Sequence, residues 1–145
     1  MKMSLLLGLV MVEKAQYALH LMEETLKANG SVQIVDNMVG IGISPEAVAT
    51  GVTYLHVAGD IRYDLALLVE EAEVDHLIIA VSEHCNLPAL FSEIANFSFT
   101  HSDLTVECIG LIDLRTCDCF PNLRELLERE CDHIITLGEI DHLSP

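Results

Sequence analysis

The sequence has no tryptophan, only seven lysine and arginine residues, and no apolar run long enough to cross a bilayer. Seven bases stand against 23 acids, so the formal net charge is −16 at pH 7. A phosphate backbone or an anionic lipid surface would be repelled by this charge. We therefore expect no nucleic-acid binding and no membrane association, and we expect the ligand to be a basic protein or a cation.

A disulfide framework is also missing, because the five cysteines are odd in number and have no paired spacing. Free thiols are typical of a reducing compartment, so the sequence predicts a cytoplasmic protein. Apolar residues make up 51% of the chain, and the mean hydropathy is +0.41. This composition predicts a single domain over 1–145, with part of its surface buried against a protein partner or in a homodimer.

Short apolar segments alternate with segments of helical periodicity. The predicted strands cover 4–12, 32–36, 77–81, 104–112 and 133–137. Helix-length connections between such strands predict an α/β three-layer sandwich, with a mainly parallel sheet of about five strands and helices on both faces. We expect the common strand order 2-1-3-4-5. Segment 46–57 is compatible with a helix or a strand, since it combines helical apolar spacing with β-branched and aromatic residues.

The most informative stretch is the buried run 77–81 and the polar segment 82–85 that follows it. Carboxyl ends of parallel strands share one edge of a sheet, where open α/β proteins bind ligands. With the first and third predicted strands as neighbours, Glu13 would face Glu83 and His84. Carboxylate and imidazole groups suit nickel or zinc, so the sequence predicts these three residues as ligands of a divalent metal. The alternative is that they only pack locally.

Three cysteines are candidate thiols for chemistry at the same edge. Cys85 follows the central predicted strand, and Cys117 and Cys119 follow the strand 104–112. A second candidate metal set combines Cys117 and Cys119 with Cys131 and His133. The predicted helix between these two pairs would separate them by about 15 Å, which disfavours a shared ion.

Two further patterns are weaker. The loop 37–43 contains Gly40 and Gly42 but lacks the third glycine of a dinucleotide-binding fingerprint. The dipeptide Asp-His occurs at 75–76, 132–133 and 141–142. The first two copies lie where a predicted helix gives way to a strand, so we interpret them as boundary contacts at the opposite edge of the sheet.

Three segments resemble the hydrogenase maturation endopeptidases, small α/β proteins that recognise nickel in a hydrogenase large subunit and remove its C-terminal tail. They are 75–80 (DHLIIA), 84–91 (HCNLPALF) and 104–110 (LTVECIG). The resemblance implies that His84 is the counterpart of the family's metal-binding histidine and that Glu13 lies near its first-loop acid. The family's glycine-asparagine loop is missing, and Val81 stands where the family has an aspartate. The resemblance thus implies a metal-dependent endopeptidase-like hydrolase or a degenerate relative of one.

Segment 122–137 resembles the end of the DsrE-type sulfur-relay proteins, which use a cysteine after a central strand. That resemblance implies Cys85 as the sulfur-carrying residue. A third hypothesis is a non-catalytic acidic domain that binds another protein. Bound metal would distinguish the first hypothesis, and a persulfide on Cys85 would distinguish the second.

Overall fold

The structure is a computed structural model that describes residues 1–40 and 42–137, apart from the side chain of Cys117. Its strands are β1 (Lys2–Leu7), β2 (Val32–Asp36), β3 (Thr53–His56), β4 (His76–Ala80), β5 (Thr105–Asp113) and β6 (His133–Leu137). Its helices are α1 (Met11–Lys27), α2 (Leu65–Glu71), α3 (Leu87–Thr100) and α4 (Pro121–Glu130). The six strands form one all-parallel sheet between two helical layers, which confirms the predicted three-layer α/β sandwich. The third Asp-His copy, at 141–142, lies outside the described residues.

The strand order is β3-β2-β4-β1-β5-β6. Ile79 of β4 lies opposite Leu5 of β1 on one side and opposite Val35 of β2 on the other. The expected contact between the first strand and the central apolar run is therefore confirmed. The predicted order 2-1-3-4-5 is wrong, because β4 is inserted between β2 and β1. Both orders bury the same apolar strands, so hydrophobic patterning does not distinguish them.

The central strand separates two apolar layers by alternation. Leu77, Ile79 and Val81 pack in the layer that contains α2, α3 and α4, whereas Ile78 and Ala80 pack in the layer of α1. All five residues of β4 are buried, as the unbroken apolar run predicts for a strand covered on both faces. No helix within 1–40 and 42–137 is both long and apolar enough to cross a bilayer.

The connections that follow β1 and β4 run over opposite faces of the sheet. Helix α1 follows β1 and leads to β2, while α3 follows β4 and leads to β5 on the other face. Neighbouring strands whose connections diverge in this way mark a topological switch point, where α/β proteins place their ligands. The fold therefore indicates a site at the carboxyl ends of β1 and β4.

Several local boundaries differ from the prediction. β1 ends at Leu7 because Gly8 has φ 128, and a side chain there would collide with the Leu111 carbonyl oxygen. The ambiguous segment 46–57 begins within a 3₁₀ turn at Pro45–Ala47 and contains the strand β3. Asn86 caps α3, since its side chain accepts a hydrogen bond from the Ala89 N–H at 3.2 Å.

Candidate functional site

A cleft of about 240 Å³ lies at the carboxyl ends of β2, β3 and β4. Residues from the loops after these three strands line it: Val39, Gly59, Asp60, Ser82, His84, Cys85 and Asn86. The polar segment 82–85 that the sequence singled out therefore borders an open site. The cleft lies at the carboxyl edge, where open α/β sheets bind ligands, but on the β2 side of β4 rather than at the switch point between β4 and β1.

Asn37 holds the walls of this cleft together, although its side chain is almost fully buried. Its Nδ2 donates to the carbonyl oxygens of Val57 at 2.8 Å and Gly59 at 3.0 Å, beyond the end of β3. Its Oδ1 accepts from the Ser82 N–H at 2.8 Å, beyond the end of β4. One amide thus ties three adjacent loops, which pre-forms the cleft.

The segment after β4 is a tight turn built on Ser82. The Ser82 hydroxyl accepts from the His84 N–H at 3.1 Å, and the Ser82 carbonyl accepts from the Cys85 N–H at 3.2 Å. The His84 side chain is 75% exposed, whereas that of Glu83 is 11% exposed. Their nearest polar atoms, His84 Nε2 and Glu83 Oε1, are 3.8 Å apart.

The predicted metal ligands are therefore brought together only in part. Glu83 and His84 are neighbours, but no described hydrogen bond or ion pair joins Glu13, in the first turn of α1, to either of them. Within the described part of the chain, no three His, Cys, Asp or Glu side chains form a group that could hold a metal ion. The donor set does not fit a nickel or zinc centre, and the metal site stays a prediction from the sequence.

Lys14 is a residue of this edge that the sequence patterns did not single out. Its side chain is fully buried, and its Nζ donates to the carbonyl oxygens of Gly8 and Val81, each at 2.7 Å. The ammonium group therefore links the chain just beyond the ends of β1 and β4. Burial lowers the pKa of Lys14 to about 8, against the opposing effect of Glu83 and other acidic groups nearby.

N–H groups of the glycine loop after β2 already bind a carboxylate of the chain itself. The buried Asp36 carboxylate accepts from the N–H groups of Met38 at 3.0 Å and Ile43 at 2.8 Å, and from the Tyr54 hydroxyl at 3.0 Å. A side chain at Gly42 would collide with this carboxylate. Burial and the bond to Asp36 raise the pKa of Tyr54 to about 12. These N–H groups are thus engaged within the chain, which supports the view that the loop is no dinucleotide-binding fingerprint.

Cys85 is half-buried and lines the cleft. Burial and the nearby Asp60 carboxylate raise the pKa of the Cys85 thiol above its usual value, while Arg62 and Lys14 act in the opposite direction. Asp60 itself is held by Arg62, whose guanidinium Nη2 lies 2.6 Å from Oδ2. The thiol is therefore mainly protonated at neutral pH.

The other cysteines have different surroundings. Burial raises the pKa of both Cys108 and Cys131 to about 12, as expected for thiols that pack as small apolar groups. Cys119 is exposed on the 3₁₀ turn Cys117–Cys119. The side chain of Cys117 is outside the described part, so the second candidate metal set rests on sequence alone.

A serine, a histidine and a threonine form a chain of hydrogen bonds at the opposite, amino edge of the sheet. His76 Nε2 is 2.7 Å from the Ser4 hydroxyl, and His76 Nδ1 is 2.8 Å from the Thr25 hydroxyl. The order resembles nucleophile, base and orienting group, but Ser4 is fully buried and therefore inaccessible to a substrate. These hydrogen bonds are therefore a structural contact between β1, β4 and α1.

The two described Asp-His pairs act at strand boundaries, as interpreted from the sequence. Asp75 accepts from the N–H and hydroxyl of Ser31, before β2. Asp132 accepts from the Cys108 N–H at 2.8 Å, and its own N–H donates to the Cys108 carbonyl at 2.9 Å. These bonds fix the start of β4 against β2 and the start of β6 against β5.

The chain matches no protein-family model, and comparisons with curated proteins and with solved structures give no significant match. The resemblances to the maturation endopeptidases and to the DsrE-type proteins therefore stay predictions from the sequence.

Proposed function

We propose that this protein is a sulfur carrier of the relay type, in which Cys85 accepts a sulfane sulfur and passes it to a second thiol. The observation that carries the proposal is the position of Cys85. Among the four cysteines whose side chains are described, Cys85 is the one in a cleft at the carboxyl edge. It has both access to solvent and a shaped pocket in which a donor group can be oriented.

The reaction conserves atoms and electrons. The Cys85 thiolate attacks the outer sulfur of a donor persulfide, R–S–SH, so that a new S–S bond forms to Cys85 and the donor leaves as R–S⁻. The product is Cys85–S–SH, and the thiol proton goes to the leaving thiolate through solvent. An acceptor thiolate then removes the outer sulfur in the same way and regenerates the Cys85 thiolate.

The electrostatics of the cleft limit the reactivity of the Cys85 thiol in the free protein. Because burial and Asp60 raise the pKa of Cys85, little thiolate is present at neutral pH in the free protein. A cationic group of a docked donor would favour ionisation in the way that Arg62 and Lys14 already do. The proposal includes a reducing, cytoplasmic setting, since the carrier thiol has to stay free of adventitious disulfides.

The metal-dependent endopeptidase hypothesis has less geometric support. Its three expected ligands do not form a metal-binding group within the described residues, so they offer nickel or zinc no complete ligand set for a hydrolytic step. The sulfur-carrier proposal needs only one thiol, one cleft and a partner.

Mass spectrometry of the protein after exposure to glutathione persulfide tests the proposal. We expect one added sulfur atom, located on the peptide that contains Cys85, and loss of this adduct in Cys85→Ser. Cys119→Ser is the matched control, because it removes an exposed thiol outside the cleft. An adduct that persists in Cys85→Ser, or that disappears equally in Cys119→Ser, would refute the assignment.

The second half of the test uses the loaded protein. A small thiol added to the purified persulfide form should recover the added sulfur and return Cys85 to its free state. Irreversible retention of the sulfur on Cys85 would show a modified protein rather than a carrier.

A further inference from the structure

Exposed apolar side chains concentrate at the carboxyl edge of the sheet. Within the described part of the chain, eight large apolar side chains are exposed, and five of them follow the carboxyl ends of strands. We call these five the apolar rim: Leu9, Val12, Val39, Tyr63 and Phe120. Single exposed apolar residues are normal on any protein, but five of them along one edge indicate a contact surface.

The apolar rim and the cleft belong to the same part of the molecule. Val39 lines the cleft that contains Cys85, and Tyr63 ends the 3₁₀ turn that Asp60, another residue of this cleft, caps. On the side of β1 and β5, Leu9 and Phe120 share a small apolar pocket. A partner that covered the rim would therefore also cover the cleft.

The charge of this edge selects among partners. Four basic side chains here are engaged within the chain: Lys14 is buried on two carbonyl oxygens, Arg62 binds Asp60, Arg115 binds Asp113 and Arg124 binds Glu128. Acidic residues of the same edge outnumber them even when the buried Asp36 and the paired Asp60 and Asp113 are left out: Glu13, Glu46, Asp64, Glu83 and Asp118. A second copy of this chain would bring the same negative charge and a total of −16, so self-association through this edge is electrostatically disfavoured.

We propose that the carboxyl edge docks another protein, whose contact surface combines apolar side chains with lysine or arginine. Apolar contacts to the rim supply the buried area, and the partner's bases meet the acidic groups around it. The inference goes beyond the sulfur-carrier proposal and does not depend on it, because it uses the rim and the charge rather than Cys85.

A synthetic amphipathic peptide of lysine and leucine provides a defined probe. Fluorescence anisotropy would measure its binding to the wild type and to the triple variant Leu9→Ser, Val39→Ser, Phe120→Ser. Phe99→Ser is the matched control, because Phe99 is 91% exposed at the end of α3, away from the carboxyl edge. All these variants keep the net charge, so they isolate the apolar contribution.

We expect the triple variant to bind the peptide about tenfold or more weakly, as for loss of central apolar contacts, and Phe99→Ser to bind like the wild type. A glutamate-leucine peptide should not bind. Circular dichroism should show both variants folded, and Val39→Ser alone should give a smaller loss in the same direction if the triple variant unfolds.

The inference would be overturned if a lysine-only peptide bound as well as the amphipathic one, or if Phe99→Ser weakened binding as much as the triple variant. It would also be overturned by a wild-type homodimer in sedimentation that the triple variant abolished, since the rim would then be an interface between copies. Cys85→Ser should bind the peptide normally, so this test and the sulfur-transfer test fail independently.

Discussion

The two edges of the sheet carry similar residue types, but these side chains differ in hydrogen bonding and in exposure to solvent. At the amino edge, the side chains of Ser4, Thr25, Asp75, His76 and Asp132 all have hydrogen-bond partners within the chain. At the carboxyl edge, His84 is mostly exposed and Cys85 borders an open cleft. Histidine and carboxylate groups alone therefore do not identify a site.

The functional difference lies in whether a polar side chain makes all its hydrogen bonds within the chain. A buried polar group with all its partners stabilises strand ends and has no remaining capacity for a ligand. A half-exposed group beside a cleft has that capacity, but it contributes little to folding. The comparison predicts that substitutions of buried, fully bonded side chains change stability, whereas substitutions of the accessible cleft residues His84 and Cys85 change reactivity and binding.

The largest expected effect is the contrast between two histidines. His76→Ala should reduce the free energy of unfolding by about 3 to 4 kcal/mol, because it leaves a cavity and removes the partner of the buried Ser4 hydroxyl. His84→Ala should change it by less than about 0.5 kcal/mol, since that side chain is mostly exposed. Urea unfolding of the two variants measures the contrast, and equal losses would contradict it.

The pH dependence of the stability difference between the wild type and His76→Ala provides a second test. Burial lowers the pKa of His76 below its ordinary value of 6.5, so the unfolded chain binds a proton that the folded chain does not. The stability of the wild type relative to His76→Ala should therefore be greatest above pH 6.5 and decrease as the pH falls below it. A difference that grew on acidification would mean that His76 is charged in the folded state.

A second prediction concerns Lys14, the buried group of the carboxyl edge. Its pKa is lowered from 10.5 to about 8, so between these values the unfolded chain binds the extra proton. The stability of the wild type relative to Lys14→Met should therefore rise with pH, by about 2 to 3 kcal/mol between about pH 8 and pH 10. Thermal or urea unfolding of both proteins across this range measures the rise.

Lys27→Met is the matched control, because Lys27 is an exposed lysine in the last turn of the same helix. The pH dependence of its stability relative to the wild type gives the background slope for an exposed lysine of this helix. A slope for Lys14→Met no steeper than that of Lys27→Met would mean that the Lys14 ammonium is not desolvated as the structure indicates.

The fold could largely be predicted because it follows from periodicity. The run 77–81 is apolar without interruption, which is typical of a strand covered on both faces, and β4 is central and fully buried. Strand order could not be predicted from periodicity, because inserting β4 between β2 and β1 leaves every buried residue buried. The ambiguity of segment 46–57 has a similar cause. β3 is an edge strand with mostly exposed residues, so it lacks a strong apolar pattern.

The site could be predicted only in outline. Its location at the carboxyl end of the central strand follows from the fold, but the grouping of Glu13 with Glu83 and His84 required a geometry that neighbouring strands do not guarantee. Lys14 was missed although a signal was present. It lies four residues before Ala18, on the arc of α1 that faces the sheet, and a lysine at such a position needs buried acceptors.

The smallest expected effect concerns metal binding at the carboxyl edge. Two neighbouring ligand groups, Glu83 and His84, predict at most weak binding of nickel or zinc, because stable sites of these metals use three or four protein ligands. In calorimetric titrations, His84→Ala should lower the affinity by about tenfold or less, and Glu13→Gln should leave it unchanged. A tight wild-type site that both variants abolished would instead restore the three-ligand site inferred from the sequence. It would also return the endopeptidase hypothesis to first place, because Glu13 would then have to move to His84 when the metal binds.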